Sequence, residues 1–252
     1  MKTKIVVLLL TMLPIHPVFA ASLADVIEIT KKSVVAVGTY MPKRSPRGIF
    51  LGTGFAIANG RLIVTNAHVL PKKIEDKSFE KLTVFNRQNK QIKMFEAKVV
   101  AVDKEHDIAI LQLVNGLLPA TGLSNAKVRE GQTVAFTGFP IGMVLGLHPV
   151  THTGIISAIS PVVLPMLRSR QLNAKLMKRL QDPYDVYQLD ATAYPGNSGS
   201  PVYEKETGKV IGIVNKVFIK ESKETVLSKP SGITYAIPIR YLDDLLKKNN
   251  LL

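Results

Sequence analysis

The sequence predicts an all-β protein made of two antiparallel six-stranded β-barrels in succession, with a short helix at each end. Two sets of six short runs rich in Val, Ile, Thr, Tyr and Phe follow one another, and Gly, Asn, Asp and Lys clusters separate the runs, as strands and turns require. Helical apolar spacing near both ends of the folded region supplies the flanking helices. The chain's 252 residues, 46% of them hydrophobic, are enough for two small lobes sharing a cleft and argue against disorder.

Residues 1–20 read as a secretory signal. Lys2 and Lys4 form the charged region, Ile5 to Leu13 the apolar run, and Val18-Phe19-Ala20 the small-residue cleavage site. A membrane anchor is the rival reading, but the apolar run falls short of the roughly 20 residues of a span, and Pro14 and Pro17 interrupt the chain directly after it. Export implies an oxidising compartment, yet the chain has no cysteine, so packing alone must stabilise it.

Ser22 is placed to cap a short helix with Asp25 near its positive end, ending near Lys32. The first barrel, in a domain spanning 21–120, is assigned VVAVGTY, GTGFAI, RLIVTN, LTVFN, AKVVAVD and IAILQL; Met41 to Gly48 forms an exposed basic loop. The boundary falls near 114–130. The second barrel, in a domain spanning 121–252, is assigned TVAFTGF, GIISAIS, VYQLDAT, PVYE, KVIGIVNKVF and ITYAIP. Pro238 then opens a terminal helix with Ile239, Leu242, Leu245 and Leu246 on one face. Between Pro161 and Tyr187, Leu172, Leu176 and Leu180 run beside Arg168, Arg170, Lys175, Lys178 and Arg179. Such a helix either packs on its own domain or docks on an anionic surface or partner.

The net charge is +14, and removal of the leader lowers it by two. Charge alone is read as a solvated lysine-rich surface, with no motif for specific nucleic-acid binding.

Three strings carry chemistry: TNAHVL around His68, EHDIAIL around Asp107 and YPGNSGSPV around Ser198. A serine hydroxyl needs an imidazole to take its proton and a carboxylate to fix that imidazole's tautomer, and His68, Asp107 and Ser198 supply these groups. Glycines at 196 and 199 allow a sharp turn in which the N–H groups of Gly196 and Ser198 converge on an oxyanion. Asp103 is the nearest rival acid. His148 and His152 lack a carboxylate pattern that would make a zinc site.

GTGFAI, TNAHVL, HDIAILQL, GFPIG, TGIISAIS, QLDATAYPGNSGSPV, VIGIV and GITYAIPI, in that order from about Ser22 to the C-terminus, resemble the chymotrypsin-fold serine peptidases, most closely the bacterial HtrA/Deg branch. The resemblance implies a cleft between the barrels, with base and orienter from the first and nucleophile from the second. It assigns the orienter to Asp107, directly before the strand. It also implies a polypeptide substrate, no metal or organic cofactor, and an oligomer, by family habit a trimer. Thr192, six residues before Ser198, would lie at the base of the pocket for the side chain preceding the cut bond. Gly232 and Thr234 would line it, and Asn215, Lys216 and Val217 would form the edge that pairs with extended substrate. That pocket is small to medium and uncharged. The function implied is an exported serine endopeptidase acting on unfolded or extended proteins, in the periplasm or outside the cell. A silent or regulated binding protein on the same fold is the alternative.

Overall fold

In a computed structural model of the protein, residues 22–88, 91–140, 146–162, 183–215 and 233–251 are described. The signal-like leader, most of the basic 161–187 segment, and Lys216, Val217 and Gly232 lie outside them.

Strands β1 (Val34–Tyr40), β2 (Gly48–Ile57), β3 (Leu62–Thr65), β4 (Lys81–Gln88), β5 (Gln91–Asp103) and β6 (Ile108–Leu113) close a barrel in the order β1-β2-β3-β6-β5-β4. Strands β7 (Thr133–Gly138), β8 (Val150–Pro161), β9 (Asp185–Asp190), β10 (Pro201–Glu204), β11 (Val210–Asn215) and β12 (Ile233–Pro238) close a second in the order β10-β11-β12-β9-β8-β7. The fold is therefore the predicted one, all antiparallel within each barrel.

The near-unbroken apolar strands have a common cause, which is burial of both faces. Along β6, Leu111 and Leu113 fill the first barrel, while Ile108 and Ile110 turn outward into a cluster shared with Ala135, Tyr203 and Ile213 of the second. On β11, Ile211 and Val214 fill the second barrel, and Val210 and Ile213 join the same shared cluster. Strand β5 runs six residues ahead of the predicted AKVVAVD. Its extension carries exposed Ile92 and Met94, so strand pairing with β4 rather than burial holds it.

Helix α1 (Leu23–Ser33) starts at the predicted cap. Ser22 Oγ accepts from Asp25 N–H, and the Asp25 carboxylate accepts from Ser22 N–H, which satisfies two orphan groups reciprocally. Helix α2 (Arg240–Lys248) begins two residues after Pro238. Pro238 instead ends β12 opposite Gly212, and Ile239 N–H donates to Ile211 carbonyl before the chain coils. Leu242 and Leu246 are fully buried in the shared cluster, worth about 1.5–3 kcal/mol each. Chain 114–132 straps the barrels: Leu118 and Thr121 N–H donate to Gly60 and Ala56, and Ser124 pairs with Val210.

The loop after β1 is not simply exposed. Arg44 folds back, its guanidinium 2.6 Å from the buried Glu80 carboxylate, which also accepts from Thr39 Oγ1 at 2.7 Å. The hydrogen bond from Thr39, then those from the Glu75 backbone and Arg44 against the cost of burial, hold the Glu80 carboxyl below its usual range.

Candidate active site

His68 sits on a single 3-10 turn, Ala67–Val69, directly after β3. Asp107 immediately precedes β6, which pairs with β3. The two loops therefore leave adjacent strands side by side. Asp107 adopts φ +57, a left-handed conformation costly to most residues but tolerated by Asp. Its carbonyl accepts from Ala67 N–H at 3.1 Å and from Asn66 Nδ2 at 3.0 Å, which offsets the strain. Its carboxylate accepts from His68 backbone N–H at 2.8 Å, and its Oδ2 lies 2.6 Å from His68 Nδ1. An Nδ1 that faces a carboxylate this closely is the donor of the pair, and in the neutral ring that leaves Nε2 as the acceptor.

Asn215 is the residue whose side-chain role sequence reasoning misses. The sequence puts its main chain on a substrate-pairing edge; in the structure it ends β11, is almost fully buried, and its Nδ2 donates to Asp107 Oδ2 at 2.9 Å. An amide at the end of an otherwise apolar buried strand needs a partner, and that was the available signal. The contact crosses from the second barrel to the first.

The rival acid is engaged elsewhere. Asp103 Oδ2 lies 2.6 Å from His106 Nδ1, and the His106 ring stacks on Tyr241 at 4.0 Å. Burial pushes the Asp103 carboxyl up, but hydrogen bonds from the side chain and backbone of His106 outweigh it and hold the carboxyl below its usual range. The two neighbouring acids thus serve two different histidines. His152 stacks on Phe136, and burial lowers its pKa so that it is neutral near pH 7. Among the described residues, no three His, Asp or Glu side chains gather as a metal site.

Ser198 lies between β9 and β10 on two consecutive turns. Asn197 N–H donates to Tyr194 carbonyl across Pro195-Gly196, and Ser200 N–H to Asn197 carbonyl across Ser198-Gly199. Gly196 at φ +102 and Gly199 at φ +86 occupy the third position of each, the type II pattern that only glycine adopts freely. A Cβ on Gly199 would stand 2.1 Å from Thr53 carbonyl, so the turn has no room for a side chain. Among the described residues the N–H groups of Gly196 and Ser198 donate no hydrogen bond, and neither does Ser198 Oγ.

Thr192 is half-buried in the irregular stretch after β9. Thr234, on β12, is buried: its hydroxyl donates to Ala191 carbonyl at 2.6 Å and accepts from Ala193 N–H at 2.9 Å. Thr234 thus braces the backbone on both sides of Thr192 and has no hydrogen left for a ligand.

Two closed six-stranded antiparallel barrels, a His–Asp pair on one and a glycine-flanked serine on the other, define the chymotrypsin-like class of fold. The match extends to sequence: residues 52–213 fit the model of the trypsin-like peptidase domain, and the chain belongs to that family. It is 31% identical over 194 residues to a probable periplasmic serine endoprotease, DegP-like, of Halomonas elongata, across 75% of this chain and 33% of the relative. It is also 31% identical over 242 residues to the mitochondrial serine protease HTRA2 of Bos taurus, across 90% of this chain and 44% of the relative. The chain thus spans less than half the length of these curated relatives. Among solved structures, the active form of a protease from M. tuberculosis superposes with TM-score 0.64 at 22% identity, covering 97% of this chain and 94% of that one. The serine endoprotease of Yersinia pestis superposes with TM-score 0.62 at 21% identity, covering 91% and 66%.

Proposed function

We propose that the protein is an exported serine endopeptidase that cleaves unfolded or extended polypeptide through an acyl-enzyme on Ser198. The observation that carries this reading is the Asp107 carboxylate bound to both the ring and the backbone N–H of His68. It supports a reading in which Nε2 is the base for Ser198, which stands on a glycine-built turn. In this scheme Nε2 takes the Ser198 proton as Oγ attacks the carbonyl. The Gly196 and Ser198 N–H groups stabilise the oxyanion, and the imidazolium returns its proton to the leaving amine. Water then repeats the sequence on the ester. The Ser198–His68 hydrogen bond would form as substrate docks, as catalytic hydrogen bonds often do.

Export is supported by the charged-apolar-small order of residues 1–20 and by relatives named as periplasmic. Thr192 in an uncharged setting favours cleavage after small or medium apolar residues. A peptide library dominated by cuts after Lys, Arg or Glu would overturn that preference. The activity itself is tested by labelling with a fluorophosphonate. Wild type should label, and Ser198→Ala and His68→Ala should not. Absence of labelling in wild type, with unfolded protein added, would instead support a binding protein on a protease fold.

A further inference from the structure

One residue of the first barrel holds both members of the candidate oxyanion site. Thr53, on β2, is fully buried. Its backbone N–H donates to Ser198 carbonyl at 2.9 Å, and its Oγ1 lies 2.7 Å from Gly196 carbonyl. Phe139 N–H donates to the same Oγ1 at 3.1 Å. Because an N–H can only donate, the Thr53 hydroxyl accepts there and must spend its single proton on Gly196 carbonyl. Thr53 carbonyl is held in turn by Thr65 Oγ1 at 2.7 Å.

Gly196, like Gly199, is conformationally permissive, and only its surroundings keep the peptides beside it from turning over. Asn197 N–H and Gly196 carbonyl belong to one peptide: the turn hydrogen bond to Tyr194 carbonyl holds its N–H and the Thr53 hydroxyl holds its carbonyl, while Thr53 N–H holds the carbonyl of the Ser198–Gly199 peptide. The peptide carrying Ser198 N–H therefore lies between two held planes and the one carrying Gly196 N–H adjoins the first of them, which supplies the preorganisation that oxyanion stabilisation needs. We propose that Thr53 is a positioning residue for the oxyanion site, acting through Gly196 and Ser198 without touching substrate and coupling the loop's geometry to the packing of the first barrel. A valine has the shape of threonine and no hydroxyl, so Thr53→Val removes the pin and leaves Gly196 carbonyl and Phe139 N–H unpaired.

The inference rests on Ser198 being the nucleophile, so wild-type labelling by a fluorophosphonate is the prior condition, and its absence would count against that reading. Given labelling, rate and end point are followed for wild type, Thr53→Val and Thr53→Ser beside thermal unfolding of each. The expected result is a labelling rate about tenfold to a hundredfold lower in Thr53→Val, with a full end point, KM for a peptide substrate within threefold, and a near-wild-type rate in Thr53→Ser. A Thr53→Val rate within threefold of wild type overturns the proposal. So does a reduced end point at unchanged rate, which would mean that Thr53 serves folding alone. Should Thr53→Val not fold, Thr53→Ala against Thr53→Ser is read by the same criteria.

Discussion

At the residue scale, the Asp107 carboxylate is assembled by contributions from both barrels, and this makes its partners testable singly. Asn215→Ala deletes one donor to Oδ2 and leaves the pair with His68 in place. A hydrogen bond to a charged group is worth about 1.5–3 kcal/mol, so kcat/KM for a peptide substrate should fall about tenfold to a hundredfold, with KM little changed. Unchanged kinetics would remove Asn215 from the machinery. Gly199→Ala tests the turn. Its φ of +86 and the 2.1 Å approach to Thr53 carbonyl leave no place for the methyl group, so chemical denaturation should show a loss of about 2 kcal/mol or more together with loss of labelling.

At the element scale, the clasp of Arg44, Thr39 and Glu80 ties the β1–β2 loop to the turn before β4. A carboxyl held below its ordinary value binds its proton less readily when folded than when unfolded. Its stabilisation is therefore complete above the unfolded value of about 4.5 and disappears as pH falls through the folded value. The Tm of wild type should exceed that of Glu80→Gln by a constant margin from pH 6 to 8, and the margin should close as pH drops below about 4.5. A margin that persists unchanged at pH 3 would mean that packing, not charge, is responsible. Helix α2 depends on its apolar face in the same testable way. Leu242 is fully buried, and Leu242→Ala should cost about 2–5 kcal/mol in denaturant unfolding.

At the scale of the whole molecule, the central cluster belongs to neither barrel. Phe55, Ile57 and Ile110 of the first meet Ala135, Tyr203 and Ile213 of the second, with Val26 of α1 and Leu242 and Leu246 of α2 closing the same cluster. Separating the barrels would expose this apolar surface on both, so calorimetry should show one cooperative transition and neither barrel expressed alone should unfold cooperatively. Two resolved transitions would contradict the shared core.

What was legible in the amino-acid order was whatever repeats or acts locally. Alternation and apolar runs marked the strands, and β1, β6, β10 and β12 begin and end where their residues predict. Ser22 and Asp25 announced the capping of α1, and paired glycines announced the turn at Ser198. Local pattern failed where a distant partner decides the outcome. Pro238 reads as a helix start, but its pairing opposite Gly212 keeps it in a strand. Arg44 reads as solvated until Glu80, 36 residues away, is beside it. Residue order alone specifies the two-barrel architecture and the residue types available for chemistry, because side-chain period and turn conformation are properties of neighbouring residues. It took the folded chain to reveal that Asn215 serves Asp107, that Asp103 serves His106 instead of His68, and that Thr53 holds the loop of Ser198. Those hydrogen bonds join groups brought together by barrel closure and barrel packing, and no local spacing encodes them.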